Sequence, residues 1–530
     1  MRETVRAVLS MYDSYNGTGM QMALFFSCLI YLAVQKKEKE KQYLFAGYTL
    51  LFFIICFFPV TAKIIMEVCI GEEVYWRMFW LLPTTVVTAY TAVQILMQAE
   101  GKIKRYLLLL AMFTVVMLTG SIVYNGTVFD RKQNWYKLPQ DTVDICDIIE
   151  QDAAENGISG KKLITVNDLV SSIRQYDANI LMPYGNEVIV GNKAETENAS
   201  QIFRIMSGEN KNWEALLWYA AMEDCNYFAY PADELTTDLL VMQDCSKVGS
   251  NDSYSVFRID QEKSGYDGKW LITQYGGKDG SQLMFYTMQD NKGHLIVVDG
   301  GWVTDADYVR QVIKVLGNRV DAWVITHPHS DHAGAFTEIY KNPGKMKIKK
   351  VYAVDMAPPE LCLSNAPWDE TAVYEEWLKL TIPQLTYVHA GDTFEVEGLA
   401  FEVFNAYDDY VDELSNDLLN DGSMMFKVTA EKESMLFCAD VGDDVSDYLL
   451  ETYGDALKSD YIQMGHHGNG GLKSNFYKSI EAKAAFFDAP DWLMQDRSGR
   501  YTTMKNTYLM ASNGAAVYSF STTPNQIILK

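Results

Sequence analysis

The stretch "VITHPHSDHAGAF", Val324–Phe336, holds three of the chain's seven histidines, ordered His-x-His-x-Asp-His directly after an apolar run. A neutral imidazole offers a nitrogen lone pair near physiological pH, and a neighbouring carboxylate supplies charge for a divalent cation. The preceding "DAWVIT", Asp321–Thr326, is apolar and β-branched enough to be a buried strand, so the histidines begin where that strand stops. Side chains two apart, His327 and His329, then point the same way at one ion. Asp331 and His332, at the start of the next helix, aim at a neighbouring point. A lone histidine is usually a polar surface residue, but four ligand-type residues within six positions point to two metals.

Working outward, the 530 residues, 48% of them hydrophobic, are enough for several domains, and the first quarter differs in composition from the rest. Apolar runs at Gly19–Val34, Tyr43–Met66, Trp76–Met97 and Tyr106–Tyr124 each approach the length of about 17–25 residues that crosses a bilayer. The expectation is a membrane region over residues 1–125 with four transmembrane helices. "QKKEKEKQ" follows the first run where a signal peptide would carry small-residue cleavage chemistry, so that run is read as an uncleaved anchor. Lys36, Lys37, Lys39 and Lys41 in that loop, and Lys102, Lys104 and Arg105 in "EGKIKR", place both loops in the cytoplasm. "EVCIGEEVYW" between the second and third runs is acidic and belongs outside. An even number of spans then gives a multi-pass protein of the cell membrane with everything after Asn125 extracytoplasmic.

Charge follows the same division. Residues 1–143 hold 14 Lys+Arg against 10 Asp+Glu, which leaves 31 bases against 59 acids in the remainder. So acidic a surface repels polyanions, and a broad nucleic-acid groove is not favoured. The eight cysteines form no Cys-x-x-Cys pair, and only Cys146, Cys225 and Cys245 share a segment that could contain a bridge. Residues 144–260 alternate helical and strand patterns: "VDICDIIEQDA" helix, "KLITVN" strand, "DLVSSIRQYD" helix, "EVIVGN" strand and "NWEALLWYAAMEDC" helix. That is a small extracytoplasmic α/β module without a phosphate loop, expected to serve as a spacer, binding or contact domain.

From Lys269 the pattern changes to strand pairs. "LMFYTMQDNKGHLIVVDGG", Leu283–Gly301, reads as strand, turn, strand, then Asp299 before two glycines. "VVDGG" about 25 residues ahead of "THPHSDH", "MLFCADVG" ending in Asp440, and "DYIQMGHHGNGG" with paired His466 and His467 together resemble the metallo-β-lactamase superfamily over residues 268–530. Within it the likeness is to the metallo-hydrolase domain of competence DNA-uptake proteins of the ComEC type and to surface phosphorylcholine esterases. "LLNDGSMMFKV", Leu418–Val428, is similar to an Asn-x-x-Ser strand opening of that group.

The resemblance implies a C-terminal αββα sandwich following the four-helix membrane region and the α/β module. It implies two divalent ions, Zn2+ or Mn2+: His327 and His329 hold the first, Asp331, His332 and His466 the second, with His467 as the neighbouring candidate. Asp440 spans both ions, Asp331 and Asp440 serve the chemistry, and Asp299 and Asn420 support the ligands from behind. One family position departs from the pattern: where many members place a histidine after the strand "LAFEVFN", this chain has "AYDDYVDE". His389 precedes that strand and is read as structural. The expected activity is metal-dependent hydrolysis of a small or polymeric phosphoester, probed outside the cytoplasm by a membrane-held enzyme. The alternatives are a nuclease linked to DNA uptake and a non-catalytic receptor or structural module with a vestigial fold.

Overall fold

The computed structural model describes residues 2–17, 19–35, 39–72, 74–119, 132–209, 211–232, 245–260, 262–277 and 279–530. The chain divides into two units, Met1–Arg131 and Lys132–Lys530.

The first unit is helical, with an interior of Phe25, Cys56, Tyr75, Phe79 and Val87. The expected four spans are not what forms. Among the described residues one helix, Tyr75–Gln98, is long and apolar enough to cross a membrane; counting each bent pair as one span raises this to at most three. The reasons are local. Gly19, at φ +76°, separates Arg2–Asn16 from Met20–Val34, and the two helices meet at 92°. Pro59 disfavours helical geometry at Phe58, which is extended, so the second run bends by 66° between Tyr43–Phe57 and Pro59–Cys69. The fourth run forms the helix Lys102–Thr119, but its first turn carries Lys102, Lys104 and Arg105, and residues 120–124 lie outside the described residues. The multi-pass arrangement, and the even-span argument for an outside C-terminus, therefore lose their support.

In the second unit, residues 140–259 build a five-stranded sheet ordered Ile180–Leu181, Lys161–Thr165, Tyr227–Pro231, Tyr254–Ile259, Cys245–Ser250, parallel over the first three and antiparallel beyond. "EVIVGN" departs from expectation: it opens the short helix Asn186–Ile189, with the Glu187 carboxylate accepting from the Gly185 N–H, so its β-branched residues never reach a ladder. Cys146 and Cys225 are buried free thiols, and Cys245 is buried as well. The helix Trp213–Met222 packs its apolar side, including fully buried Trp218, against Leu271 and Ile528 of the next layer.

That layer is a sandwich of two seven-stranded sheets. One runs Leu385–Tyr387, Val351–Ala353, Ala322–Ile325, Leu295–Asp299, Phe285–Asp290, Trp270–Gln274, Asn525–Leu529. The other runs Thr393–Val396, Leu399–Asn405, Met425–Thr429, Ser434–Phe437, Tyr461–Gln463, Ala484–Phe486, Ala516–Tyr518. Their inner faces meet through a file of rings in which Phe394 stacks on Tyr352 at 4.1 Å and Tyr286 meets Phe437 edge-on at 5.2 Å. Each such buried aromatic contributes about 1.5–3 kcal/mol by burial, which fixes the register of the sheets and hence the positions of their loop ends.

The motif sits where the sheets' loops converge. Strand Ala322–Ile325 lies parallel between Leu295–Asp299 and Val351–Ala353, and helix Ser330–Lys341 begins immediately after the loop carrying His327 and His329. Gly334 is required there, because a Cβ would stand 2.6 Å from the Val303 backbone nitrogen. The helix can approach the 301–303 loop only without a side chain at that position.

Candidate metal centre

The structure gathers the sequence motif into two groups of potential ligands. His327, His329 and Asp440 form one, and Asp331, His332 and His467 the other, each with ligand atoms within 4.8 Å of one another. In the first, His327 Nε2 lies 2.8 Å from His329 Nδ1. In the second, His467 Nε2 lies 3.2 Å from Asp331 Oδ2 and 3.4 Å from His332 Nε2. Asp440 reaches both groups, with Oδ1 3.2 Å from His332 Nε2 and Oδ2 3.5 Å from His467 Nε2.

The ranking of the paired histidines is reversed. His467 is buried in the second group, while His466 lies outside both groups, 3.9 Å from Asp440 Oδ2, on the wall of an open cleft. Both residues have positive φ, so the chain turns sharply after strand Tyr461–Gln463 and sends the two rings in different directions. His389 is exposed beside Asp392, away from either group, as a structural surface residue would be.

The ring nitrogens facing away from the centre are mostly committed. His332 Nδ1 lies 2.8 Å from Asp299 Oδ2, and His467 Nδ1 lies 3.1 Å from the Asp488 carbonyl. His329 Nε2 lies 2.7 Å from Asp369 Oδ1. A carboxylate or carbonyl can only accept, so each of these nitrogens carries the proton and its partner turns a lone pair inward. Asp299 is itself held by the Thr326 N–H on Oδ1 at 2.8 Å and the Thr326 hydroxyl on Oδ2 at 2.6 Å. Asp369 was not legible in the sequence: it is 40 positions from His329, in "APWDE", with no ligand spacing.

Electrostatics follow from this packing. Burial works against charge on His332 and His467, yet the carboxylates of Asp440 and Asp299 for the first, and of Asp440 and Asp331 for the second, outweigh it. His332 is pushed well above the usual histidine range and His467 up to about 10. Burial, together with the neighbouring His332 and His329, drives His327 well below that range. Burial opposes the charge on Asp331 and Asp440 too, but the facing histidines hold both carboxyls low.

The donor set therefore suits two divalent ions: four imidazoles and two carboxylates, with Asp440 Oδ1 buried and facing His332 Nε2 at 3.2 Å. Asn420 is brought to the same cleft, a cavity of about 450 Å³ that Asp417, Asp421, Asp443, Asp444, Lys473 and Lys505 also line.

Comparison with known proteins agrees in its coarse features. Residues 282–360 match the family model described as Metallo-beta-lactamase superfamily. The chain thus carries a metallo-β-lactamase superfamily domain, of the fold used by metal-dependent hydrolases. A search of curated proteins returns no match. Among solved structures, the metallo-beta-lactamase fold protein YhfI from Bacillus subtilis is 12% identical, covering 49% of this chain and 99% of that one, at a TM-score of 0.31. CmlA, a diiron beta-hydroxylase from Streptomyces venezuelae, is 13% identical over 49% of this chain and 54% of its own, at 0.32. A diphosphatase from the PhnP family is 14% identical over 44% and 92%, at 0.28.

Proposed function

We propose that this chain is a membrane-attached hydrolase that uses two divalent ions to cleave a small phosphodiester or phosphoester outside the cytoplasm. The observation that carries the reading is Asp440 set between two buried ligand groups at the floor of an open, polar cleft. When bound, two such ions acidify a water to near neutrality and neutralise charge on a phosphoryl group.

The chain's own groups supply the rest. His332 and His467 give up their protons to become ligands, and their outward nitrogens stay fixed on Asp299 and the Asp488 carbonyl, so the ligand rings cannot rotate. Lys505 in the same cleft offers positive charge to an anionic substrate, while Lys473 beside it is paired with Asp447 at 2.8 Å. The four other aspartates of the cleft repel a long polyanion, which favours a small ester over duplex nucleic acid.

Membrane attachment is read from the first unit. The span Tyr75–Gln98 is followed by basic Lys102, Lys104 and Arg105, and then by a helix that buries none of its residues and exposes Tyr106, Leu110, Phe113 and Leu118. Basic loops stay on the cytoplasmic side, and the exposed apolar helix, although not counted among the spans above, is the segment proposed to carry the chain back outward. Zn2+ and Mn2+ both suit the ligand set.

The test is hydrolysis of bis(p-nitrophenyl) phosphate by the purified full-length chain. Cleavage should require added Mn2+ or Zn2+ and vary weakly with salt. Efficient degradation of DNA with a steep salt dependence, and none of the small diester, would replace this reading with a nuclease, because each neutralised phosphate releases counterions.

A further inference from the structure

The first ligand group contains one imidazole fewer than the family pattern leads one to expect, and the stretch "AYDDYVDE" puts no histidine in its place. We infer that Asn420 fills that position, its side-chain carbonyl acting as a direct oxygen ligand to the first ion. The inference rests on the two-metal hydrolase reading above and deepens it.

Three observations converge on Asn420. Its Oδ1 is buried and has no hydrogen-bond partner, although the residue is only 9% exposed and lines the cleft beside Asp440. Its Nδ2 donates to Asp417 Oδ2 at 2.9 Å. An ionised carboxylate only accepts, so the amide nitrogen must face Asp417 and the carbonyl must face away from it. A buried carbonyl left without a donor costs about 1–3 kcal/mol, and a cation would offset that cost.

The backbone explains how Asn420 reaches the centre. The Met424 N–H donates to the Thr326 carbonyl at 2.9 Å, which lays the end of this segment alongside the residue preceding His327. The Asp440 N–H lies 3.2 Å from Ser423 Oγ as its acceptor, which ties the same segment to the bridging carboxylate. Asn405 Nδ2 donates to the carbonyls of Asp421 and Ser423 at 2.7 Å each, fixing the turn from behind. Residues 421–424 are thus pinned between Thr326, which precedes His327, and Asp440, and Asn420 immediately before them lines the cleft that Asp440 also lines.

The chemistry has a consequence for metal choice. Two imidazoles, a carboxylate and a neutral amide oxygen make the first position harder and weaker than the second, which keeps two imidazoles and two carboxylates, one of them shared. The ions should bind in sequence, with the second position filling first.

The experiment is a Co2+ titration of the metal-stripped full-length chain, followed by visible absorption. The wild type should take up two ions per chain in two steps. Asn420→Ala should weaken only the weaker step, by at least about tenfold, which is the lower end of what losing even an outer-sphere partner costs. Asn420→His should tighten that step and shift its absorption band, because nitrogen replaces oxygen on the ion. The histidine variant carries the test alone if Asn420→Ala fails to fold. Unchanged steps in Asn420→Ala, or a spectrally silent Asn420→His, would overturn the inference while leaving the two-metal hydrolase reading standing. A wild type that binds no Co2+ would overturn both.

Discussion

Asp299→Asn and Asp369→Asn make the same chemical change beside two different ligands, yet the structure predicts unequal outcomes. Both oxygens of Asp299 are used as acceptors: Oδ1 by the Thr326 N–H, and Oδ2 by the Thr326 hydroxyl and His332 Nδ1. An asparagine there must turn its NH2 toward either the Thr326 N–H or His332 Nδ1–H. The first orientation buries two facing donors. The second is relieved only if His332 moves its proton to Nε2, the nitrogen the metal needs. Asp369 differs, because only its Oδ1 accepts, from His329 Nε2 and the Glu370 N–H, while Oδ2 is buried without a partner. Its amide can place oxygen at the used position and nitrogen at the unused one. Asp299→Asn should therefore lower affinity for the more tightly bound ion by 10- to 100-fold, about 1.4–2.8 kcal/mol. Asp369→Asn exchanges a charge-assisted hydrogen bond for a neutral one and should cost about 1 kcal/mol, or about fivefold, on the other ion. Competition between the protein and a chromophoric chelator for Zn2+ reads both constants. Equal losses, or a larger loss in Asp369→Asn, would refute the tautomer argument.

Three further outcomes follow from the same geometry, and a fourth from the proposed topology. His467→Ala should leave the chain binding one ion per molecule with hydrolysis lost, whereas His466→Ala should keep both ions and change only catalysis, as metal analysis by mass spectrometry would show. His332 and His467 have raised pKa values, so their ion pairs stabilise the metal-free chain fully below about pH 6.5; the His467 contribution is lost as pH rises toward about 10, and that of His332 as pH passes its own raised value. Metal uptake near neutrality should displace a proton from each of these two histidines, measurable by calorimetry in buffers of different ionisation enthalpy, and affinity should fall with falling pH. A single cysteine placed near Lys530, in a background without the native cysteines, should react with a membrane-impermeant thiol reagent in intact cells; labelling only after lysis would place the hydrolase domain in the cytoplasm.

The candidate ligand groups were legible because most of their residues are close in sequence. Four of the six fall within Val324–Phe336, and Asp440 and His467 follow apolar strands whose ends are visible in the residue pattern. The choice between His466 and His467 was not legible, since it depends on two successive positive-φ residues that spacing does not encode. Asp369 and the Asp488 carbonyl were not legible either, because each reaches its histidine across the fold from a loop of ordinary composition. The membrane region erred in the opposite direction. Apolar length was read correctly at Trp76–Met97, but Pro59 breaks the second run, and Gly19 sets off the first as a helix of only 15 residues, both residues being plain in the sequence. Hydropathy alone does not count such breaks.

The backbone also bears on whether this fold has kept its chemistry. Asp299, Ala439, His466 and His467 are all non-glycine residues with φ between +47° and +55°, and each lies at the end of a strand that delivers or supports a ligand. Such conformations cost on the order of 1–3 kcal/mol each and persist only where the surroundings enforce them. Here the enforcing contacts are specific: Trp323 Nε1 donates to the Asp299 carbonyl, the Ala439 N–H to Gln463 Oε1, and the His466 N–H to the Ala439 carbonyl. Gln463 Nε2 in turn donates to the buried carboxyl of Asp488, whose own carbonyl holds His467. One network thus constrains the bridging aspartate and the last histidine together. Four of the nine such non-glycine residues among the described ones stand around buried imidazoles and carboxylates, where a purely structural module would gain nothing from them. A centre whose ligands must stand ready before the ions arrive does gain from it, because rigid donors lose little freedom on binding.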